Sequence, residues 1–430
     1  MGGQPTHGRA KPTIPAAVVA VVCAAAVATL AWIVWVVPEG YGLFSNGVDA
    51  KVYRSAVRAL VEGRAVYDDP VYRGRWYFTY PPFAVLVLAP LGLVSQFQGA
   101  RLMSAVNIVL LFVLVCLTLR ALGFRSDRRF WLTATAATVA FLGIEPARTT
   151  IGNGQVNLVL AVLIVGCLTL PTGRWRGVGI GLAAGIKLTP VFFIAYLIVT
   201  GQWRAARTAV AVFLATVAVG LLVLRRQAVE YWVHFADDQE RIGPAAAPQN
   251  QSVAGLLARL DAVGLWRAPS WLWLVVAAAV AVVALYTVRR AHRAGATMLS
   301  ITIAGMASCA VSPFSWGHHW VWFVPLILIA LVHAARSADR ERPVTWLWWI
   351  APAALVTATW AWQVQETYGG RLVWRFGSYR LFWHSDRPWV ALLGTAVNLT
   401  IFAVSVVATL RWASMRDRIL RAGGLVETKP

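Results

Sequence analysis

Acid is what this chain has least of. Only 18 of its 430 residues are Asp or Glu, against 39 Lys or Arg, and charge of both signs makes up 13%. With 59% hydrophobic residues, that is too little polar surface to coat a soluble globule. Cysteine is sparse as well. Cys23, Cys116, Cys167 and Cys309 all fall inside apolar runs and lack metal-ligand spacing, so they read as buried thiols. Walker loop, dinucleotide fingerprint, nucleophile elbow and zinc-protease motif are all missing. An enzyme of this shape, having no nucleotide-binding domain, needs an activated donor borne by the membrane. The net charge of +21 does not point to nucleic acid, because the basic residues sit at the ends of apolar runs. That placement suits membrane orientation and contact with lipid headgroups.

What the chain does have is a series of separated apolar runs. They lie near residues 16–37, 101–122, 130–146, 155–171, 177–200, 205–225, 271–289, 297–311, 319–334, 345–362 and 388–411, with a shorter one at 83–95. Runs of roughly 17–25 residues predict an all-α polytopic membrane protein. The first is too long for a signal-peptide core and lacks a cleavage site, so it reads as a retained span. Orientation turns on two stretches. If 83–95 and 177–200 both cross, the basic loop at 120–129 faces outward, against the positive-inside rule. The conflict disappears if 83–95 lies along the outer surface and 177–200 is two half-helices meeting at Lys187-Leu188-Thr189-Pro190. Proline tolerates such a break where the freed backbone groups line a cavity. This treatment predicts about twelve membrane helices, cytoplasmic tails at 1–12 and 413–430, and one integral domain over 13–412. The outer loops are 38–100, 226–270 and 363–387, the first carrying an amphipathic juxtamembrane segment.

That topology gathers the unusual polar residues on the outer side. Asp49 stands where a span meets water, in a stretch with Val52, Ala56, Val57 and Leu60 on one side and Lys51, Arg54 and Arg58 on the other. Two readings fit it: an interfacial ion pair with a neighbouring base, or a carboxylate that takes a proton from a substrate hydroxyl. Tyr53 lies one turn later on the same face. Gly152-Asn153-Gly154-Gln155-Val156-Asn157 reads either as a polar helix start or as Gln155 and Asn157 binding hydroxyls or a neighbouring helix. Glu145 and Arg148 read as a structural pair. Lys187, alone between apolar half-helices, must snorkel, pair or meet an anion such as phosphate. His318 and His319, after Ser312-Pro313 and beside Trp316, point about 100° apart on a helix, so they do not readily ligate one metal together. One of the two faces the cavity. Asn250-Gln251-Ser252 fits both a glycosylation sequon and a polar contact from a long outer loop. Most of the 22 tryptophans fall near span ends, as an interfacial belt does, while Trp316, Trp374 and Trp383 are placed to stack on a ring.

Taken in order, Gly47-Val48-Asp49-Ala50-Lys51-Val52-Tyr53, Tyr80-Pro81-Pro82, Gly154-Gln155-Val156-Asn157, Lys187-Leu188-Thr189-Pro190, Asn250-Gln251-Ser252 and Ser315-Trp316-Gly317-His318-His319 resemble the polyprenol-phosphate-mannose-dependent α-(1→2)-mannosyltransferases of glycosyltransferase family 87. The resemblance runs from about residue 40 to residue 335. It implies a GT-C fold with an outward-facing active site, at the periplasmic face of the plasma membrane. It matches the family's essential aspartate with Asp49, a donor-phosphate lysine with Lys187, and an active-site histidine with His318 or His319. Tyr53, Arg54, Tyr80, Gln155, Asn157, Asn250, Gln251 and Trp316 are then expected at the substrate. The implied donor is polyprenyl-phosphate mannose and the acceptor a mannosylated phosphatidylinositol, whose phosphate suits the basic stretch 54–75. Branching of a larger lipomannan is the nearest alternative, and a lipid-linked glycan transporter the alternative of another class. No cofactor is expected. Many GT-C enzymes use an Asp/Glu pair with a divalent metal, but Asp49 lacks a neighbouring second carboxylate, which leaves metal dependence open.

Overall fold

The structure, a computed structural model, describes residues 11–37, 43, 47–171, 173–236, 238, 240–338, 345–368 and 371–426. Expectations for residues 1–10 and 427–430 of the two tails fall outside them. The first half of the chain forms α1 (Ala16–Trp35), α2 (Val48–Val61), α3 (Pro82–Val87), α4 (Gln96–Ala121), α5 (Arg128–Phe141), α6 (Glu145–Asn153), α7 (Asn157–Thr169), α8 (Val178–Ile186) and α9 (Phe192–Val199). The second half forms α10 (Trp203–Leu224), α11 (Arg226–Glu230), α12 (Val253–Ala262), α13 (Leu272–Arg293), α14 (Thr297–Val311), α15 (Phe323–Ala338), α16 (Ile350–Thr359), α17 (Pro388–Gly394) and α18 (Val397–Val426). Among the described residues, α1, α4, α10, α13 and residues 397–416 of α18 are long and apolar enough to cross a membrane. The pair α6–α7 would make a sixth path, bent by 117°. The protein is therefore a mostly helical membrane protein. One hairpin departs from the all-α expectation: β1 (Gln363–Tyr368) and β2 (Arg371–Phe376) pair antiparallel, Gln363 opposite Phe376 and Tyr368 opposite Arg371.

Small residues let the long helices approach closely. On α1 the buried residues Val18, Val22, Ala26 and Thr29 recur every three or four positions and form one stripe against α5. The α8–α10 contact is tighter. Gly177, Gly181 and Gly185, four apart, meet Ala205, Ala209 and Thr216, and a Cβ on Gly181 would lie 2.6 Å from the Ala209 carbonyl oxygen. Such close backbone approach is how membrane helices gain packing without a hydrophobic drive. It also fixes where α8 ends. Its last residue is Ile186, Lys187 is extended (φ −152°, ψ 140°), and a 3-10 turn with Pro190 at its second position leads into α9. The two half-helices expected from sequence are present, with Lys187 at the break.

The polar stretch 152–157 does open a helix, as expected, but it does so through a sharp corner. α6 ends on Gly154 at φ +70°, and α7 leaves at Asn157. A Cβ on Gly154 would fall 2.7 Å from the Cβ of Ala50 and 3.2 Å from that of Met103. Glycine thus serves both the left-handed turn and the approach of α2 and α4. The N-terminal end of α2 is pinned to the same corner, since Gly47 donates its N–H to the Gly152 carbonyl at 2.7 Å. The amphipathic reading of α2 holds: Val52, Tyr53, Ala56 and Val57 are buried, while Arg58 is exposed.

Candidate active site

Asp49 projects from the first turn of α2 toward the corner, where its carboxylate accepts hydrogen bonds from the side chains of Gln155 and Asn153. Protein surrounds the group, yet the residue keeps some accessible surface. Burial raises its pKa to about 6, although the two amides and the positive charge of Lys187 pull the other way. Gln155 is itself held. Its Oε1 accepts the hydroxyls of Tyr53 at 2.8 Å and Tyr80 at 2.9 Å, and the two phenol oxygens lie 3.0 Å apart. With the oxygen occupied by two donors, the NH₂ end must turn to Asp49. Asn107 fastens the backbone beneath by donating to the Gln155 carbonyl at 2.9 Å.

On the other side stands Lys187. Its Nζ donates to Asn157 Oδ1 at 3.1 Å, meets His319 Nε2 at 2.9 Å, and lies 5.2 Å from the Tyr80 ring centre. Asn157 also donates to the His318 carbonyl at 2.9 Å, as does Thr150 at the same distance. The corner thus holds the histidine turn by its backbone and the lysine by a side chain. The His318 and His319 rings meet edge to face, 4.8 Å apart, and neither His318 Nε2 nor His319 Nδ1 has a hydrogen-bond partner. Behind His319 a cavity of about 30 Å³ borders Asn157, Thr189, Phe193 and Cys309, enough to admit water.

The structure therefore brings together Asp49, Tyr53, Tyr80, Gln155, Asn157, Lys187 and the 318–319 pair. Other expected residues go elsewhere. Arg54 turns away from Asp49 and donates through Nε to the Val94 carbonyl at 2.6 Å. Asn250 and Gln251 have no exposed surface. Asn250 Oδ1 accepts the Ser315 N–H at 3.0 Å and its amide donates to Ala245; Gln251 bonds Thr395 and Asn398. The Asn250 amide thus braces residues 313–315 and the Gln251 amide ties its loop to residues 395–398, so both are occupied within the protein and a sugar contact gives way to a positioning role. Trp316 is half-buried, with its ring centre 5.6 Å from that of Phe314.

One participant was missed in its arrangement. Glu145 accepts the Tyr379 hydroxyl at 2.8 Å and Thr149 Oγ1 at 3.0 Å, while Arg148 lies between the Trp32 and Phe376 rings at 5.0 and 4.7 Å. The expected Glu145–Arg148 pairing gives way to these contacts. A Cβ on Gly317 would come 2.6 Å from Glu145 Oε1, so this buried carboxylate backs the turn that presents His318. Tyr379 lies 234 positions from Glu145, too far along the chain for the pairing to be foreseen. Among the described residues no three His, Cys, Asp or Glu side chains converge as metal donors.

A buried carboxylate held by two amides, with an ammonium–imidazole pair close enough to act on its charge, lies within a bundle of membrane helices, an arrangement suited to a membrane enzyme of group transfer. The chain matches glycosyltransferase family 87 over residues 78–313 and belongs to that family. It is 35% identical over 384 residues, covering 87% of this chain and 86% of the relative, to the polyprenol-phosphate-mannose-dependent α-(1-2)-phosphatidylinositol pentamannoside mannosyltransferase of Mycolicibacterium smegmatis. It is 31% identical over 383 residues, 88% of this chain and 83% of the relative, to the protein of the same name from Mycobacterium tuberculosis. The phosphatidylinositol mannoside mannosyltransferase of M. smegmatis shares 32% identity over 338 residues, 73% and 75% of the two chains. No solved structure matches the chain. The protein is a glycosyltransferase.

Proposed function

We propose that this enzyme is an inverting α-(1→2)-mannosyltransferase that moves mannose from polyprenyl-phosphate mannose to a mannosylated phosphatidylinositol. The observation that carries the reading is the placement of Asp49, oriented by Gln155 and Asn153, opposite Lys187 and His319. Asp49 removes the proton from the acceptor 2-hydroxyl as that oxygen attacks the anomeric carbon. The bond from that carbon to the phosphate oxygen breaks on the opposite face, its electron pair leaving with polyprenyl phosphate, so a β-linked donor gives an α product. Lys187, turning from Asn157 and His319, neutralises the departing phosphate, an effect that is large in a site shielded from water. A histidine hydrogen bond adds to it. The site opens on the periplasmic side of a GT-C bundle of about twelve helices with both termini cytoplasmic, the arrangement in which the short basic loops obey the positive-inside rule.

The test is to incubate purified protein with polyprenyl-phosphate mannose and a panel of phosphatidylinositol mannosides and lipomannans, then determine the linkage of the product. An α-(1→2)-linked mannose on a phosphatidylinositol mannoside is the expected result. Transfer to lipomannan alone would move the acceptor to the branching reaction, and no transfer to any member would overturn the reading.

A further inference from the structure

At the end of α9 away from Lys187, a larger cavity, of about 390 Å³, opens between two helix ends. Its walls are the turn after α9, with Gly201 and Trp203, and the last turns of α13, with Arg289, His292 and Arg293. The eight residues of α9, about 12 Å of helix, separate it from the lysine. Arg289 and Arg293 stand one turn apart, so their guanidinium groups leave the same face of α13. Both are exposed, and among the described residues neither side chain makes an ion pair, a hydrogen bond or a ring contact. Other arginines nearby are engaged: Arg290 donates to the Tyr286 hydroxyl at 3.2 Å, and Arg176 donates to Gln202 Oε1 at 3.2 Å and to the Leu168 carbonyl at 2.9 Å. No Asp or Glu lines the cavity. Like charges one turn apart on a helix repel. The helix dipole and the positive-inside rule account for the sign of the charge at this end. Neither calls for a cavity in front of the two groups, walled on its α9 side by Ile198 and by Trp203, which is 60% exposed.

We infer that this cavity binds a phosphate group between Arg289 and Arg293, and that the phosphate is that of an anionic lipid headgroup in the leaflet away from Asp49 and Lys187. Each guanidinium offers a planar fork of N–H donors that matches phosphate oxygens, and an anion between the two removes their repulsion. Basic pockets between the ends of membrane helices take lipid headgroups in this way. The lining favours a lipid over a free ion. Ile198, 39% exposed, and Trp203 give an apolar surface and an interfacial ring, which suit a glycerol backbone and the start of its acyl chains. His292 adds a polar group on the α13 side, and its ring meets Tyr196 of α9 edge-on, centres 6.3 Å apart. A bound headgroup thus joins the end of α9, the half-helix that follows Lys187, to the end of α13. The inference uses neither the donor nor the acceptor assigned above, so it stands or falls apart from the transfer reaction.

The experiment places the full chain in nanodiscs of phosphatidylcholine, adds phosphatidylglycerol in steps, and follows thermal unfolding at each step. Phosphatidylglycerol is the probe because it carries the phosphate and no sugar for the transfer site. In phosphate-free buffer it should raise the Tm of wild type, since a ligand of the folded form stabilises that form. The apparent Kd read from the rise should be about tenfold weaker in Arg289→Gln with Arg293→Gln. Arg204→Gln with Arg207→Gln removes two exposed charges at the start of α10, outside the cavity, and should match wild type. Arg289→Lys with Arg293→Lys keeps the charge but not the forks and should fall between, which preserves the test if the Gln pair folds poorly. A second arm adds inorganic phosphate to discs of phosphatidylcholine alone, where no comparable rise is expected. A rise there that the Gln pair loses would give the cavity to a free anion and overturn the lipid. Stabilisation by phosphatidylglycerol that is equal in every variant, or absent from wild type, would overturn the site itself.

Discussion

Lys187 and His319, 132 positions apart in the chain, meet ammonium to ring nitrogen at 2.9 Å. An ammonium can only donate, so His319 Nε2 accepts, which places the ring proton on Nδ1 and leaves the imidazole neutral. The histidine is thereby a holder of the lysine as well as a wall of the small cavity behind it. Lys187→Gln removes the charge that meets the leaving phosphate and should lower kcat by about 10²- to 10³-fold. His319→Phe should cost less, because Asn157 still orients the ammonium at 3.1 Å. The double variant should be scarcely worse than Lys187→Gln alone, since groups that act as a unit do not add. Turnover at saturating donor measures all three. Fully additive losses would mean that the two side chains work separately.

The pH profile follows from Asp49. A base must be ionised, and burial has moved this carboxyl to about 6. Activity should therefore climb as pH rises through 6 and level off above it, with the carboxyl protonated and idle below. Lys187 lowers that pKa, so residual activity in Lys187→Gln should begin its rise at higher pH. The stability sign runs the other way. Because the folded-state value lies above the ordinary one of 3.8, folding favours the protonated form, and ionisation costs stability as pH rises through this window. Asp49→Asn should thus abolish transfer without lowering thermal stability at pH 7. A variant that is both inactive and unfolded would recast Asp49 as a structural acid.

Much of this site could be read from the chain, and the reason is membrane chemistry. Asp49, Lys187, Gln155 and Asn157 stood out because a polar group beside a long apolar run needs a partner or a task. The broken helix at Lys187 was legible for the same reason, proline and lysine interrupting one hydrophobic stretch. What could not be read was which polar group meets which. Tyr53 reaches Gln155 across 102 positions and Tyr379 reaches Glu145 across 234, and no local pattern encodes such pairings. Asn250 and Gln251 looked accessible because they lie in a long polar loop, but that loop folds back and uses their amides internally. Arg54 looked like a partner for the acid, but the Val94 carbonyl takes it. The α6–α7 corner was hidden because glycine and asparagine signal a turn without giving its angle.

That corner gives a prediction about stability. Gly154 sits at φ +70° with Ala50 and Met103 close above it. Gly154→Ala asks a side chain to adopt a left-handed backbone and to enter space already filled. The strain alone is worth about 1–3 kcal/mol, and Ala50 on α2 must retreat, carrying Asp49 with it. The variant should unfold at lower temperature and also lose turnover. Gly63→Ala is the control, since that glycine has φ +68° and nothing near its Cβ position. It shares the backbone strain without the collision. Equal activity in the two variants would show that the corner does not set the position of Asp49.

Gln155 lets orientation be separated from contact. Two phenols hold its oxygen, at 2.8 and 2.9 Å, and its NH₂ end serves Asp49. Gln155→Leu removes the donor that favours the ionised carboxylate and leaves the Tyr53 and Tyr80 hydroxyls without their acceptor. Losing that hydrogen bond raises the pKa of Asp49 further, so the rising limb of the pH profile should move above 6 while the plateau falls. Tyr53→Phe should do less of both, because Tyr80 still holds the amide. If Gln155 instead gripped the sugar directly, its loss would raise the acceptor KM and leave the pH limb in place. Measuring kcat and KM across pH for Gln155→Leu and Tyr53→Phe distinguishes the two, and the expected signature is a displaced limb with an acceptor KM close to that of the wild type.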